Sequence, residues 1–312
     1  MDVVPGRPFL DCFDQLTYEQ KTRTATDLVN VLSTLHTITS SYCGSMIYNH
    51  LLTDDQHSPR YGSAPSSSYT GLADNKFMIG PFNDITFLEL PQTVPASSCG
   101  PFRTERSFLE AIAYRGSPPT RSCERAVSWS YEKLLEVYDA VRPLYPIPGA
   151  EPQTFHFSHG DLSRANILLD PETGAVTGII DWEMSGFRPA WLVAAGPAWF
   201  DDDSCKFTVE DHQDGPDGYE DLTDDDRRLI EHFRTVLGER NPELLQHHER
   251  SVELRAIFYN LCHELAGNVK VWLRQYEKYE WDINERGPFP FDLQSWIMES
   301  LDLYIGKPTL LL

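Results

Sequence analysis

Residues 155–183 constrain the fold of this 312-residue chain more than any other segment. Three short apolar runs lie within it, at residues 155–158, 167–169 and 176–180. Alternating and β-branched residues in runs of this length are typical of strands, and residues 171–174 (PETG) have turn chemistry. The segment therefore predicts three short strands, of which the first two are joined by a loop and the last two by a hairpin.

Polar residues stand in the loop and at the end of the third strand. His159, Asp161 and Asn166 have the spacing HxDxxxxN, and Asp181 follows the third strand. Phosphoryl transfer needs a carboxylate to orient the attacking hydroxyl and oxygen ligands for the Mg²⁺ on the phosphates. Asp161 is the candidate base, and Asn166 and Asp181 are the candidate metal ligands. We place His159 in the catalytic site too, where we expect it to brace the loop by hydrogen bonding.

Each of these residues also has an ordinary structural explanation. Asp and Asn are common in turns, so Asp161 and Asn166 could be turn residues, and Asp181 could simply cap a strand. The functional interpretation depends on the combination of all three with strands in the required places.

The segment resembles the phosphotransferase signature of aminoglycoside phosphotransferases, choline kinases and related small-molecule kinases. Residues 178–183 (GIIDWE) are similar to the metal-binding strand of fungal members, and residues 4–11 (VPGRPFLD) to the hinge after their N-terminal lobe. The resemblance implies ATP and Mg²⁺ as cofactors. It also implies that Asp2 and Val4 are nucleotide-binding hinge residues, and that Glu183 could face an amine-bearing substrate.

The resemblance further implies an α+β, protein-kinase-like fold, in which a predominantly helical C-terminal lobe has short β-hairpins that carry the catalytic loop. We expect one domain over residues 1–312, with long loop insertions at 42–103, which is rich in Ser, Gly and Pro, and at 201–226, which is acidic. No glycine-rich hairpin or strand lysine precedes the hinge-like residues 4–11, so we expect the N-terminal lobe to be largely absent.

Helices are predicted elsewhere from apolar residues at three- and four-residue intervals. One begins near Thr17, with Gln20 at capping-box spacing. Others are predicted to begin at residue 104, to span residues 122–141 and to span residues 249–276.

The net charge and the absence of several motifs limit the class of protein to which this chain can belong. A net charge of −21 argues against binding to nucleic acid or to anionic membranes. The chain has no secretory signal and no run of about eighteen apolar residues, which predicts a cytoplasmic protein. It also has no GxSxG or HExxH motif for a serine hydrolase or zinc protease. His247 and His248 stand among charged residues, where a solvated pair is favoured over a metal site.

Two functional hypotheses follow. The first is an ATP- and Mg²⁺-dependent kinase whose acceptor is an alcohol group of a small metabolite, for which the acidic protein favours a cation. A protein substrate is disfavoured, because Gly160 replaces the arginine of the protein-kinase motif and residues 181–183 (DWE) replace DFG. The second is a non-catalytic binding or regulatory protein, or a truncated product, because the nucleotide-binding lobe is expected to be absent. A homodimer or a separate chain that supplies this lobe would be the corresponding protein partner.

Overall fold

The structure is a computed structural model that describes residues 4–48, 77–83, 87, 99–114, 122–145, 154–194, 223–262 and 272–295. The α-helices, in chain order, are α1 Phe9–Cys12, α2 Tyr18–His36, α3 Glu105–Tyr114, α4 Ser122–Val141, α5 Ala190–Val193, α6 Asp224–Arg240, α7 Pro242–Arg250, α8 Val252–Cys262 and α9 Ile283–Arg286. The strands are β1 Arg7–Pro8, β2 Thr39–Ser40, β3 Gly44–Tyr48, β4 Phe77–Gly80, β5 Phe155–Ser158, β6 Ile167–Leu169, β7 Val176–Ile179 and β8 Gly186–Pro189. Tyr276–Glu280 form a π-helical turn.

The strands form two antiparallel sheets, with the orders β1-β6-β7 and β2-β5-β8-β3-β4. The chain leaves the larger sheet after β5 and enters the smaller one at β6. It then returns from β7 to β8. Residues 159–166 and 180–185 are therefore two crossovers between the same two sheets, and the backbone N–H of Ile180 donates to the Asn166 carbonyl at 3.0 Å. The predicted strands β5, β6 and β7 are confirmed, and the result is the expected mixture of helices and antiparallel strands.

Helix α2 holds the β6–β7 hairpin in place. It begins after Thr17, whose capping box with Gln20 is present as predicted. The Gln20 side chain also donates to the carbonyl of Glu172 at 2.9 Å, and Thr24 Oγ1 donates to the Gly174 carbonyl at 2.7 Å. The turn of the hairpin is thus bonded to the first turns of the helix.

Two apolar cores support this arrangement. One lies among α3, α4, α8 and the larger sheet, and the other lies among α1, α2, α6 and β6. Leu28 of α2, Phe233 of α6 and Ile167 of β6 are almost completely buried in the second core. Complete burial of one such side chain contributes about 1.5–3 kcal/mol, so this core fixes the smaller sheet against the helices.

The predicted loop insertions contain regular structure where the structure describes them. Within residues 42–103, β3 pairs with β4, and Met46 is opposite Ile79. Apolar runs this short do not reveal their partner strand, because the partner is about thirty residues away. Residues 224–226 of the acidic insertion form the first turn of α6, which begins with a capping box between Thr223 and Asp226.

The helix predicted over residues 249–276 is divided at Ser251. Helix α7 ends before this residue and α8 begins after it. The buried Ser251 Oγ donates to the carbonyls of His247 and Trp191, and such bonds to the preceding turn compete with regular helical geometry. Residues 263–271 lie outside the described part of the chain.

His247 and His248 are both 1% exposed, so the interpretation of these residues as a solvated pair is wrong. The charged residues that follow them, Glu249 and Arg250, are exposed, while the histidines face the interior. None of the helices in the described part of the chain combines the length and apolarity needed to cross a bilayer.

Candidate active site

His159 joins the two crossovers. Its Nδ1 accepts from the backbone N–H of Asp161 at 3.3 Å, and its Nε2 lies 2.8 Å from the carbonyl oxygen of Ile180. Because Nδ1 is the acceptor, the ring proton is on Nε2 and is donated to Ile180. Both nitrogens of this buried ring are therefore occupied, which suits a positioning residue better than a proton carrier.

Gly160 occupies a position where no side chain fits. Its φ is +88°, and an added Cβ would lie 2.2 Å from the carbonyl oxygen of Met184. A positive φ favours glycine, and the close approach excludes every other residue. This geometry explains why the arginine of the protein-kinase motif has no counterpart here.

Asn166 connects the candidate base to the rest of the loop. Its Nδ2 donates to the Asp161 carbonyl oxygen at 2.8 Å and to Asp161 Oδ2 at 3.1 Å. Asn166 is buried, whereas the Asp161 side chain is exposed. The amide nitrogen of Asn166 is directed at Asp161, so the amide oxygen is the atom suited to a cation.

Asp181 follows β7 in a left-handed conformation, with φ 65° and ψ 56°. Among the described residues it is the non-glycine residue with a positive φ. Asp visits this region more readily than most residues. Because Ile180 is hydrogen-bonded to both Asn166 and His159, the exposed Asp181 begins directly beside the loop.

The residues after Asp181 form a turn against the loop. The Trp182 ring lies 4.6 Å from the His159 ring, between centroids, and its Nε1 donates to the Ile179 carbonyl at 2.8 Å. Glu183 has an exposed side chain, and its carbonyl accepts from Asn83 Nδ2 at 2.9 Å. Its carboxylate is thus available at the surface of the site.

The hinge-like segment contacts β7 at its start, through Val4 and Pro5, and then pairs with β6 as β1. Val4 is 42% exposed, and its Cγ1 stands so close to Gly178 that a Cβ there would lie 2.5 Å away. Thr177 Oγ1 donates to the Pro5 carbonyl at 2.6 Å. The other hinge candidate, Asp2, lies outside the described residues.

A cavity of about 340 Å³ opens beside the loop. Sequence analysis missed it, because its walls come from five separate elements (α2, β5, β8, α5 and α8) and the 159–166 crossover, and their apolar faces resemble ordinary core. Its lining comprises Leu32, Leu35, Phe157, Ser158, His159, Gly160, Leu162, Arg188, Leu192, Val193, Phe258, Tyr259 and Cys262. Among these lining residues none is acidic, and the walls are mainly apolar.

Arg188 is a buried cation that the sequence pattern did not single out. Its Nη1 donates to Ser158 Oγ at 2.9 Å, and its Nη2 donates to the Met184 carbonyl at 3.0 Å. The guanidinium also lies 5.2 Å from the centre of the Phe82 ring. One side chain in β8 therefore bonds to the end of β5 and to the 180–185 crossover, and it lines the cavity.

Comparisons with known proteins give partial matches. The model of a family described as "Phosphotransferase enzyme family" matches residues 1–192. The chain is 40% identical over 58 residues to an aminoglycoside 3'-phosphotransferase of Streptomyces ribosidificus, which is 19% of either protein. It is 49% identical over 41 residues to clavilactone A biosynthesis cluster protein Y of Ampulloclitocybe clavipes, which is 13% of this chain and 10% of that one. A subtelomeric hrmA-associated cluster protein of Aspergillus fumigatus is 35% identical over 72 residues, which is 23% of this chain and 14% of that one. The matched part thus spans less than a fifth of each relative, and no solved structure matches.

Proposed function

Because the chain belongs to the phosphotransferase enzyme family, we propose that it transfers the γ-phosphoryl group of ATP to a hydroxyl of a small molecule with the help of Mg²⁺. The observation that carries the proposal is the position of Asn166. Its side chain donates to Asp161, and its backbone carbonyl accepts from Ile180, the residue before Asp181. One buried residue, itself a candidate metal ligand, thus links the candidate base to the segment of the other candidate ligand, Asp181.

The donor atoms at this position fit Mg²⁺. Mg²⁺ prefers oxygen ligands and is commonly held by one or two protein groups together with substrate phosphates. Asn166 would offer its amide oxygen and Asp181 its carboxylate. When bound, Mg²⁺ supplies positive charge that neutralises the phosphate oxygens.

Asp161 would orient the acceptor hydroxyl and take its proton. One of its carboxylate oxygens, Oδ2, is held by Asn166, which leaves the other free to accept a hydrogen bond from the acceptor. His159 would act through its bonds to Asp161 and Ile180, by keeping the loop and the strand end in register. A catalytic base of this kind contributes about a hundredfold or more to the rate.

The cavity beside the loop is the proposed acceptor site, and its volume of about 340 Å³ suits a small molecule. Gly160 and Leu162 line it on either side of Asp161 in sequence. The apolar walls favour an acceptor with an apolar body, and Glu183 is the candidate contact for an amine group. Val4, packed on Gly178, is the candidate for contact with the adenine.

The experiment is a measurement of ADP release from Mg·ATP by the purified protein, with a panel of amino sugars, amino alcohols and apolar alcohols as acceptors. We expect release that requires both the metal and an acceptor, and at least about a hundredfold loss in Asp161→Asn. Asp170→Asn is the matched control, since Asp170 bonds only within the β6–β7 turn and should leave the rate unchanged.

Two results would contradict the proposal. Full activity in Asp161→Asn would show that this carboxylate is not the base. If no acceptor released ADP and calorimetry detected no Mg²⁺-dependent binding of ATP, the non-catalytic alternative would be correct.

A further inference from the structure

A group of buried histidines lies where the C-terminal end of α2 meets β5 and α7. His36 is the last residue of α2, His156 is in β5 and His247 is in α7. The rings of His36 and His156 are stacked with centroids 3.9 Å apart, and the His247 ring is 5.9 Å from that of His36. All three residues are at most 5% exposed. Three elements that are distant in sequence thus bring imidazole rings to one point.

Several nitrogens of this group have no hydrogen-bond partner among the residues that the structure describes. They are Nε2 of His36 and both ring nitrogens of His247, and all are buried from solvent. His156 differs, because its Nδ1 is 2.7 Å from the His36 carbonyl oxygen. Buried polar groups are nearly always paired, and an unpaired one costs about 1–3 kcal/mol. Such nitrogens on facing side chains are therefore placed to bind a common ligand.

A carboxylate completes the group. Glu243 precedes His247 by one helical turn on α7, and its Oε1 lies 4.0 Å from His247 Nε2. One ligand atom from each of His36, Glu243 and His247 can be chosen so that all lie within 4.8 Å of one another. Bonds of about 2.0–2.2 Å to a tetrahedral ion would place such atoms roughly 3.3–3.6 Å apart. Small side-chain rotations would close this gap, and the exposed Glu243 provides a route from solvent.

We propose that His36, Glu243 and His247 form a binding site for a divalent transition-metal ion, with Zn²⁺ as the best match. Two imidazoles and one carboxylate are a donor set that zinc accepts, with the fourth position left to water. Mg²⁺ selects oxygen donors instead. This site and the oxygen site at Asn166 and Asp181 therefore prefer different ions.

The position of the site indicates its role. A bound ion would tie α2 to α7 behind β5, the strand that leads into the loop of Asp161. None of the three ligands lines the cavity beside that loop. The ion would therefore stabilise the packing of α2 and α7 behind β5, and so the position of the Asp161 loop, without touching the reacting groups.

Calorimetric titration of Zn²⁺ into chelator-treated protein, with excess Mg²⁺ present, tests the proposal. We expect one equivalent of zinc to bind and the melting temperature to rise. His247→Gln should abolish this binding, and Glu243→Gln should lower zinc affinity by at least about tenfold. Even the residues that only hydrogen-bond to a metal ligand change metal affinity by that factor when they are mutated. His232→Gln is the matched control, because this partly buried histidine of α6 bonds to Thr26 outside the group and should not change zinc affinity.

Glu243→Gln keeps the test decisive even if His247→Gln fails to fold. The Glu243 side chain is 47% exposed, so the substitution should leave the circular dichroism spectrum and the metal-free melting temperature unchanged. Absence of zinc uptake by the chelator-treated wild-type protein would overturn the proposal. Wild-type affinity in Glu243→Gln would overturn it equally.

Discussion

Gly160→Ala tests whether close packing of the two crossovers maintains the candidate active site. The new Cβ would lie 2.2 Å from the Met184 carbonyl oxygen and 2.9 Å from Arg188 Nη2. The first of these atoms is backbone, and the second belongs to a buried guanidinium that bonds to the end of β5 and to the 180–185 crossover. Neither can move aside without displacing the 180–185 crossover.

Two contributions set the size of the effect. A non-glycine residue in the left-handed region costs about 1–2 kcal/mol, and overpacking of a close contact adds about 1–3 kcal/mol. A total of about 3 kcal/mol should lower the melting temperature by about 6 °C or more, at about 2 °C per kcal/mol for a large domain.

Gly287→Ala is the matched control for backbone strain. Gly287 also has a positive φ, of 76°, but apart from its two chain neighbours no atom of the described residues lies within 4 Å of the position of its Cβ. This variant should show only the conformational cost of a side chain at φ 76° and ψ −168°, which is about 1–3 kcal/mol. The difference between the two variants in urea unfolding therefore measures the contact of Gly160 with Met184.

Activity should separate the two variants further. At a temperature where both are folded, ADP release should fall strongly in Gly160→Ala and stay at the wild-type level in Gly287→Ala. A shift of about 1 Å in a catalytic group can cost a hundredfold in rate. If Gly160→Ala were as stable as Gly287→Ala and fully active, the reasoning from this contact would be refuted.

Three further predictions concern charge. Arg142→Met should destabilise the protein by about 3–5 kcal/mol in urea unfolding, because it removes bonds of 2.7 and 3.2 Å to the buried Glu105 carboxylate. A loss below about 1 kcal/mol would contradict this. In metal-free protein, burial followed by the neighbouring histidines lowers the pKa of His36 to about 3, and burial lowers that of His247 to about 4. The unfolded chain takes up these protons near pH 6.5, so stability should decrease as the pH falls below 6.5, by at most about 1.4 kcal/mol per pH unit for each histidine. Equal stability at pH 7 and pH 5 would contradict this. Asp181→Asn should keep the wild-type melting temperature, because Asn also tolerates a left-handed conformation, and should lose Mg²⁺-dependent nucleotide binding; retained binding would exclude Asp181 as a ligand.

The sequence by itself determined the features that depend on near neighbours. The capping box of Thr17 and Gln20 joins residues three apart, and it is present at the start of α2. The strand at residues 155–158 and the hairpin of β6 and β7 follow from alternation and one turn, and they are also present. Signals of this kind persist in the fold because the residues that form them are close in the chain before it folds.

Only the tertiary structure decided which distant residues meet. Strand β3 pairs with β4, and the walls of the cavity come from several elements. The local sequence patterns of these segments do not identify the segments that they contact. His247 shows the reason most clearly: its charged neighbours in sequence predicted contact with solvent, whereas packing of α7 buries it beside His36, more than two hundred residues away in the chain. Burial is a property of the face that a helix turns toward other elements, and that orientation is set by the whole fold.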